Sequence, residues 1–311
     1  MSFFENGIKA KVMSTQLLIE ADVSKKILFE CVKLAQDFEE KYSAYKEESL
    51  LCKINKNAGI QAIKCSTEEL EIFKIALEIA ESSSGVFDPT IGILTQGTYG
   101  FGKESPRVPS DTALKKVQEL VNYKKVSLKS DEIYLMQKGM QFDLGGIGKG
   151  YVADKIIQQL RIKKASKALV NVGGEICSYG KKYNIALKSP FSQDNLAIIK
   201  TSKEALCIST SGDYERYIVS KKNHHILDHK TARQNYYYSS VTIMQNGTDC
   251  TLLDAVATLV FNTQKEFLKD ISKKYKISII VILEDGEIYF ENFKALDIQS
   301  IELFPPRDNL L

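Results

Sequence analysis

Between Phe142 and Tyr151 the chain reads Phe-Asp-Leu-Gly-Gly-Ile-Gly-Lys-Gly-Tyr, and glycines at 145, 146, 148 and 150 leave the backbone few ways to run. An apolar run at Met140–Asp143 enters the stretch and a helix-forming run at Lys149–Leu160 leaves it. The segment is therefore read as a strand, a corner and a helix. Glycine lets the main chain come close to a neighbour or a ligand. The N–H groups at a helix start, with the positive end of the helix dipole, suit a phosphate. Two common nucleotide patterns fail here. The P-loop would need Ser or Thr at Gly150 and glycine at Asp143, and the dinucleotide fingerprint would need glycine at Tyr151. On spacing alone, the corner fits either a phosphate-rich ligand or a tight turn with none.

Around this corner the apolar periodicity mixes helix and strand without βαβ alternation, which predicts an α+β fold of mostly antiparallel sheets with packed helices. Residues 15–21 alternate as a strand, and 24–42 and 67–83 carry helical spacing, with Ser24 as N-cap of the first and Gly85 as the stop of the second. Residues 86–110 read as loop or short helix, and 112–121 as a short helix. Strands are expected at 125–128, 132–136, 140–143, 167–172, 183–188, 197–201, 205–209, 214–219 and 239–244. A helix at 251–261 precedes a terminal hairpin of 277–283 and 287–290 around Asp285-Gly286. No repeat or linker divides the 311 residues, so one domain over 1–311 is expected, with two intimately packed lobes as the alternative.

A net charge of +3 without a basic face argues against nucleic acid as partner. No apolar stretch is long enough to span a membrane, and no secretory leader opens the chain. The six cysteines form no CxxC unit. They are read as buried free thiols rather than a zinc site, which places the chain in the cytoplasm.

Other polar segments lie between apolar runs: Ser43-Ala44-Tyr45, Gly85–Thr90, Asn171–Glu175, Ser209–Asp213 and His224–His229. The last holds all three histidines, open to structural, ligand-contacting or catalytic roles; zinc is disfavoured because the flanks are strand and turn and no HExxH occurs. Asp254 and Thr258 are four apart on a helix and share a face. Such a pair is either hard-oxygen metal chemistry or ordinary helix surface.

Taken together and in order, Met13-Ser14-Thr15, Ser43-Ala44-Tyr45, Val86–Thr90, Asp143–Tyr151, Asn171–Glu175, Ser209–Arg216, His225–Asp228, Ser239–Thr242 and Asp254–Thr258 resemble the ApbE family, the FAD:protein FMN transferases. The resemblance implies a T-fold-related architecture and magnesium-dependent transfer of the FMN half of FAD to a Thr or Ser hydroxyl of an acceptor flavoprotein, with AMP released. It implies that Met13, Tyr45, Val86, Phe87, Asp88, Asp143, Lys149 and Leu227 contact the FAD. Gly146, Asp254 and Thr258 would hold the magnesium. His225 would handle the acceptor proton, with Asp228 as its orienter or rival. An FAD pyrophosphatase and a flavin carrier without turnover are the alternatives. The chain departs from the family pattern at His229, where proline is common, at Thr231-Ala232, where Thr-Gly is usual, and at Ala257, where some members add a carboxylate.

Overall fold

The computed structural model describes residues 1–4 and 7–304. Its frame is one sheet of nine strands: β1 (Ser2–Phe4), β2 (Gly7–Val12), β3 (Thr15–Ala21), β4 (Ala168–Val172), β5 (Glu175–Tyr179), β6 (Leu206–Gly212), β7 (Ser240–Asn246), β8 (Ser278–Ile282) and β9 (Ile288–Glu291). Their order across the sheet is their order along the chain. Every neighbouring pair is antiparallel. The sheet is thus a meander whose long excursions carry the helices.

Four helices matter to the site: α1 (Lys25–Tyr42), α2 (Thr67–Ser82), α3 (Gly148–Ile162) and α4 (Cys250–Phe261). Helix α2 forms where Ser66 and Glu69 close a capping box, and it stops at Gly85, whose φ of +83° only glycine adopts cheaply. Helix α4 is apolar nearly all round, so it lies inside the core. Its N-terminal donors are met from the neighbouring helix: the Asp154 carboxylate of α3 accepts from Cys250 N at 2.8 Å and Thr251 N at 2.7 Å. The two helices touch backbone to backbone. A Cβ on Gly150 would sit 2.2 Å from the Cys250 carbonyl oxygen, so this glycine sets how closely α3 and α4 pack.

Smaller sheets flank the frame. Asn184–Lys188, Asn195–Thr201 and Ile298–Leu303 form one, and Ile63–Lys64, Val126–Leu128 and Glu132–Leu135 another. Residues Tyr217–Ile218 and Ser220–His224 make a short ribbon. No helix among the described residues is long and apolar enough to cross a membrane.

The α+β class and most elements agree with the sequence reading, and three local expectations do not. Met140–Asp143 is not a strand: it makes one bridge, Gln141 to Ile91, and otherwise crosses the core as extended chain. The strand expected over 214–219 shrinks to Tyr217–Ile218, because 213–216 turns at the cleft. The hairpin of β8 and β9 is not terminal, since Ile298–Leu303 follows and pairs with Asn195–Thr201. The cysteine reading is also corrected. Cys177 and Cys207 face each other in the β5–β6 register and are joined by a disulfide, which leaves Cys31, Cys52, Cys65 and Cys250 free.

Candidate active site

A cleft of 840 Å³ opens where the β2–β3 turn, the loop after α1, the 86–96 segment, the glycine corner and α4 converge. That lies within the roughly 300–1,000 Å³ of ordinary ligand clefts. Met13, Tyr45, Val86, Phe87, Asp88, Asp143, Gly146, Lys149, Leu227, Asp254, Thr258 and His225 all line it. Residues from distant parts of the sequence are therefore neighbours. Asp228 is not among the lining residues.

One wall brings the glycine corner against α4. A Cβ on Gly146 would lie 3.1 Å from Thr258 Oγ1 and 3.5 Å from the Phe87 ring, so the Gly146 main chain and the Thr258 hydroxyl are adjacent. One turn earlier on α4, Asp254 is 1% exposed and its Oδ2 accepts from Gly150 N at 2.9 Å. Lys149 Nζ donates to Asp254 Oδ1 at 3.2 Å and to Glu175 Oε1 at 2.6 Å. Burial alone would strip the Lys149 charge, but Asp254 and then Glu175 outweigh it and hold the ammonium protonated. Glu175 is fully buried, and its Oε2 has no hydrogen-bond partner. Burial first, then the Asp254 charge, raises its proton affinity; Lys149 opposes them. Sequence reasoning quoted Asn171–Glu175 as a motif but gave Glu175 no part. Its signal was a carboxylate entering a wholly buried strand, which demands a cation.

The opposite walls are built by loops whose acids serve the loops themselves. Met13 and Ser14 are the two turn residues between β2 and β3, with φ of +50° and +59°, a conformation that costs non-glycine residues energy. Met13 N donates to Glu39 Oε2 at 2.8 Å, which ties that turn to α1. Tyr45 OH donates to Phe101 O at 2.8 Å, and the residue is 48% exposed beside the cleft. Asp88 lines the cleft, but its Oδ1 accepts from Thr90 N at 2.8 Å and its Oδ2 from Tyr123 N at 3.0 Å. Asp143 likewise accepts from Gly145 N at 2.7 Å and from Thr95 Oγ1 at 2.5 Å. Thr95 lies on a π-helical turn, Ile93–Tyr99, that the sequence did not reveal.

His225 enters from a third side. Its Nδ1 lies 3.1 Å from Arg216 O, so a backbone carbonyl orients the ring. Burial pushes its pKa down to about 3, helped by Arg216, His224 and Lys149, so the imidazole is neutral at pH 7. Asp228 does not orient it: its Oδ1 accepts from Lys230 N at 2.8 Å and lies 3.7 Å from His229 Nδ1. The expected carboxylate orienter is thereby corrected to the Arg216 carbonyl. His224 is structural, with Nε2 3.1 Å from Asn235 O and its ring against Phe261.

A glycine-rich helix start and hard oxygens lie side by side on one wall of a ligand-sized cleft, an arrangement suited to an enzyme acting on a phosphate-bearing ligand. The chain belongs to the ApbE family, whose model matches residues 9–281. It is 31% identical to an FAD:protein FMN transferase of Treponema pallidum over 75% of this chain and 70% of that one. It is 30% identical to the protein of that name from Klebsiella pneumoniae, over 73% and 72%. Among solved structures it resembles the ApbE protein of Thermotoga maritima, with a TM-score of 0.83 at 27% identity over 94% of this chain and 98% of that one. The flavin transferase ApbE of Vibrio cholerae shares the fold, with a TM-score of 0.81 at 24% identity, over 93% and 98%.

Proposed function

We propose that this chain transfers the FMN half of FAD to a Thr or Ser hydroxyl of an acceptor flavoprotein, with magnesium bound and AMP released. The observation that carries the reading is the meeting of Gly146, Asp254 and Thr258 at one wall of a cleft whose other sides hold Tyr45 and His225. A carbonyl, a carboxylate and a hydroxyl are hard-oxygen donors, and the orphaned Glu175 oxygen beside them marks a cluster short of positive charge. The residues therefore fit magnesium, held by the Gly146 carbonyl, Asp254 and Thr258. When bound, the ion neutralises diphosphate charge and acts as a Lewis acid at phosphorus.

The chain's own residues supply the rest. The positive end of the α3 dipole and the Gly145–Gly146 main chain favour the diphosphate at the glycine corner; the Gly148 and Gly150 N–H groups expected to cradle it are instead held by Leu144 O and Asp254 Oδ2. Tyr45 and Met13 offer faces for the ring systems. His225 is neutral, and with Nδ1–H donated to Arg216 O its other ring nitrogen accepts the acceptor hydroxyl's proton. The acceptor oxygen forms a bond to the FMN phosphorus, the P–O bond to AMP breaks, and the flavin is left in a phosphoester.

The test is incubation with FAD, magnesium and a flavoprotein acceptor, read as flavin fluorescence on a denaturing gel. Asp254→Ala is expected to lower the rate about 10³-fold or more, and His225→Asn by about 10²–10⁴-fold. Release of AMP and free FMN with every acceptor offered would replace transfer by hydrolysis.

A further inference from the structure

The Lys149 ammonium stands between two buried carboxylates and is shared unequally. It lies 2.6 Å from Glu175 Oε1 and 3.2 Å from Asp254 Oδ1. Asp254 has already committed Oδ2 to the Gly150 N–H. Its Oδ1 accepts only the longer of the two Lys149 contacts, and it is the atom the ammonium would close on if nothing drew it towards Glu175. Glu175 is the only other carboxylate at hydrogen-bond distance from Lys149 among the described residues. It sits immobile at the start of β5, paired with Val172 across the Gly173-Gly174 turn, and is 0% exposed. A buried carboxylate with one oxygen unpartnered is costly to keep.

We propose that Glu175 is a positioning residue for the metal site: it draws Lys149 off Asp254, so that Asp254 Oδ1 stays available to a divalent cation. This rests on the magnesium reading given above and deepens it. One ammonium cannot pair fully with both buried carboxylates, and a cation at Asp254 would take the share that Lys149 leaves. With Glu175 neutralised, Lys149 closes on Asp254 and competes with the metal directly. Lys149 is then the competitor and Glu175 the restraint, a division that predicts opposite effects for the two side chains.

The experiment titrates Mn²⁺ into the whole chain with FAD present and counts bound ion by electron paramagnetic resonance, beside thermal melting of each variant. Glu175→Gln keeps the shape and removes the charge; the half-saturating Mn²⁺ concentration should rise about 10–100-fold, the usual size of an outer-shell loss. Adding Lys149→Gln to Glu175→Gln removes the competitor and should bring that concentration back to within about threefold of the parent. The melts separate a structural role, in which Mn²⁺ affinity would follow stability from variant to variant, from the positioning role, in which affinity changes at unchanged melting temperature. The proposal is overturned if Glu175→Gln titrates like the parent, or if the double variant binds no better than the single one. Should Glu175→Gln fail to fold, the double variant still decides: Mn²⁺ binding near the parent's supports the proposal, and weak binding overturns it. Asp254→Ala separates the two layers. If that variant keeps the parent's Mn²⁺ binding, the magnesium assignment itself fails. If it loses binding while Glu175→Gln does not, only the positioning role falls.

Discussion

The two sides of the cleft are built by different means. On the α3–α4 side, Gly150 lets two backbones touch, Asp154 closes the start of α4, and Asp254 is locked by the Gly150 N–H. On the His225 side the chain runs through short strands and turns. Val219 and Ala232 both sit at positive φ, +63° and +57°, and Val219 is 93% exposed. The wall proposed to hold the metal is thus fixed by the core, whereas the wall proposed to meet the acceptor is irregular and carries local strain. A site that must hold one constant diphosphate and also admit a large protein hydroxyl gains from that division: geometry is preset where charge develops and adjustable where the partner arrives.

Three measurements can break or sharpen this contrast. The largest effect is expected from Gly150→Ala. Its Cβ meets a backbone oxygen that cannot step aside, so stability should fall by about 3 kcal/mol or more, or folding should fail, in a denaturant melt. A loss near zero would mean the helices are not pinned. Asp154→Ala should come next, at about 2–3 kcal/mol, because buried donors at the start of α4 lose their acceptor. Smaller and opposite in sign, Val219→Asn should stabilise by about 0.5–1 kcal/mol, since Asn tolerates the left-handed region that a β-branched residue does not. A destabilised Asn variant would remove the evidence for strain on the acceptor side.

Acid titration probes the same side. Burial pushes the His224 pKa down to about 4, below its ordinary 6.5. The unfolded chain therefore binds the proton first, so the stability held above about pH 6.5 is lost as pH falls towards 4. His224→Gln should flatten that limb of the melting temperature against pH.

Much of this was legible from sequence because it is local. The apolar spacing of α1 and α2 and the Gly85 stop announce themselves within a few residues. The glycine corner and the Asp254–Thr258 face were legible as separate fragments; only the fold shows that they meet. Asp88 and Asp143 were read as ligand contacts, yet each accepts the N–H two residues on, an Asx turn that Asp-Pro-Thr and Asp-Leu-Gly could have signalled. The Cys177–Cys207 pairing spans 30 residues and follows from strand register, which no spacing rule reveals. Glu175 was hidden for the same reason: its partners, Lys149 and Asp254, come from two different excursions of the meander.

That the sheet grows in chain order has a consequence for synthesis. A ribosome releasing this protein lays down each strand beside the one just finished, and the glycine corner is in place with fewer than half of the 311 residues made. Asp254 and Thr258 arrive only on the last long excursion, before β8. A nascent chain arrested ahead of Cys250 would already own most of its frame and its phosphate corner, yet would lack the oxygens proposed to hold the ion. On the proposed metal site, competence is delayed until the sheet is nearly complete, and a prematurely terminated product is expected to be inert rather than partly active.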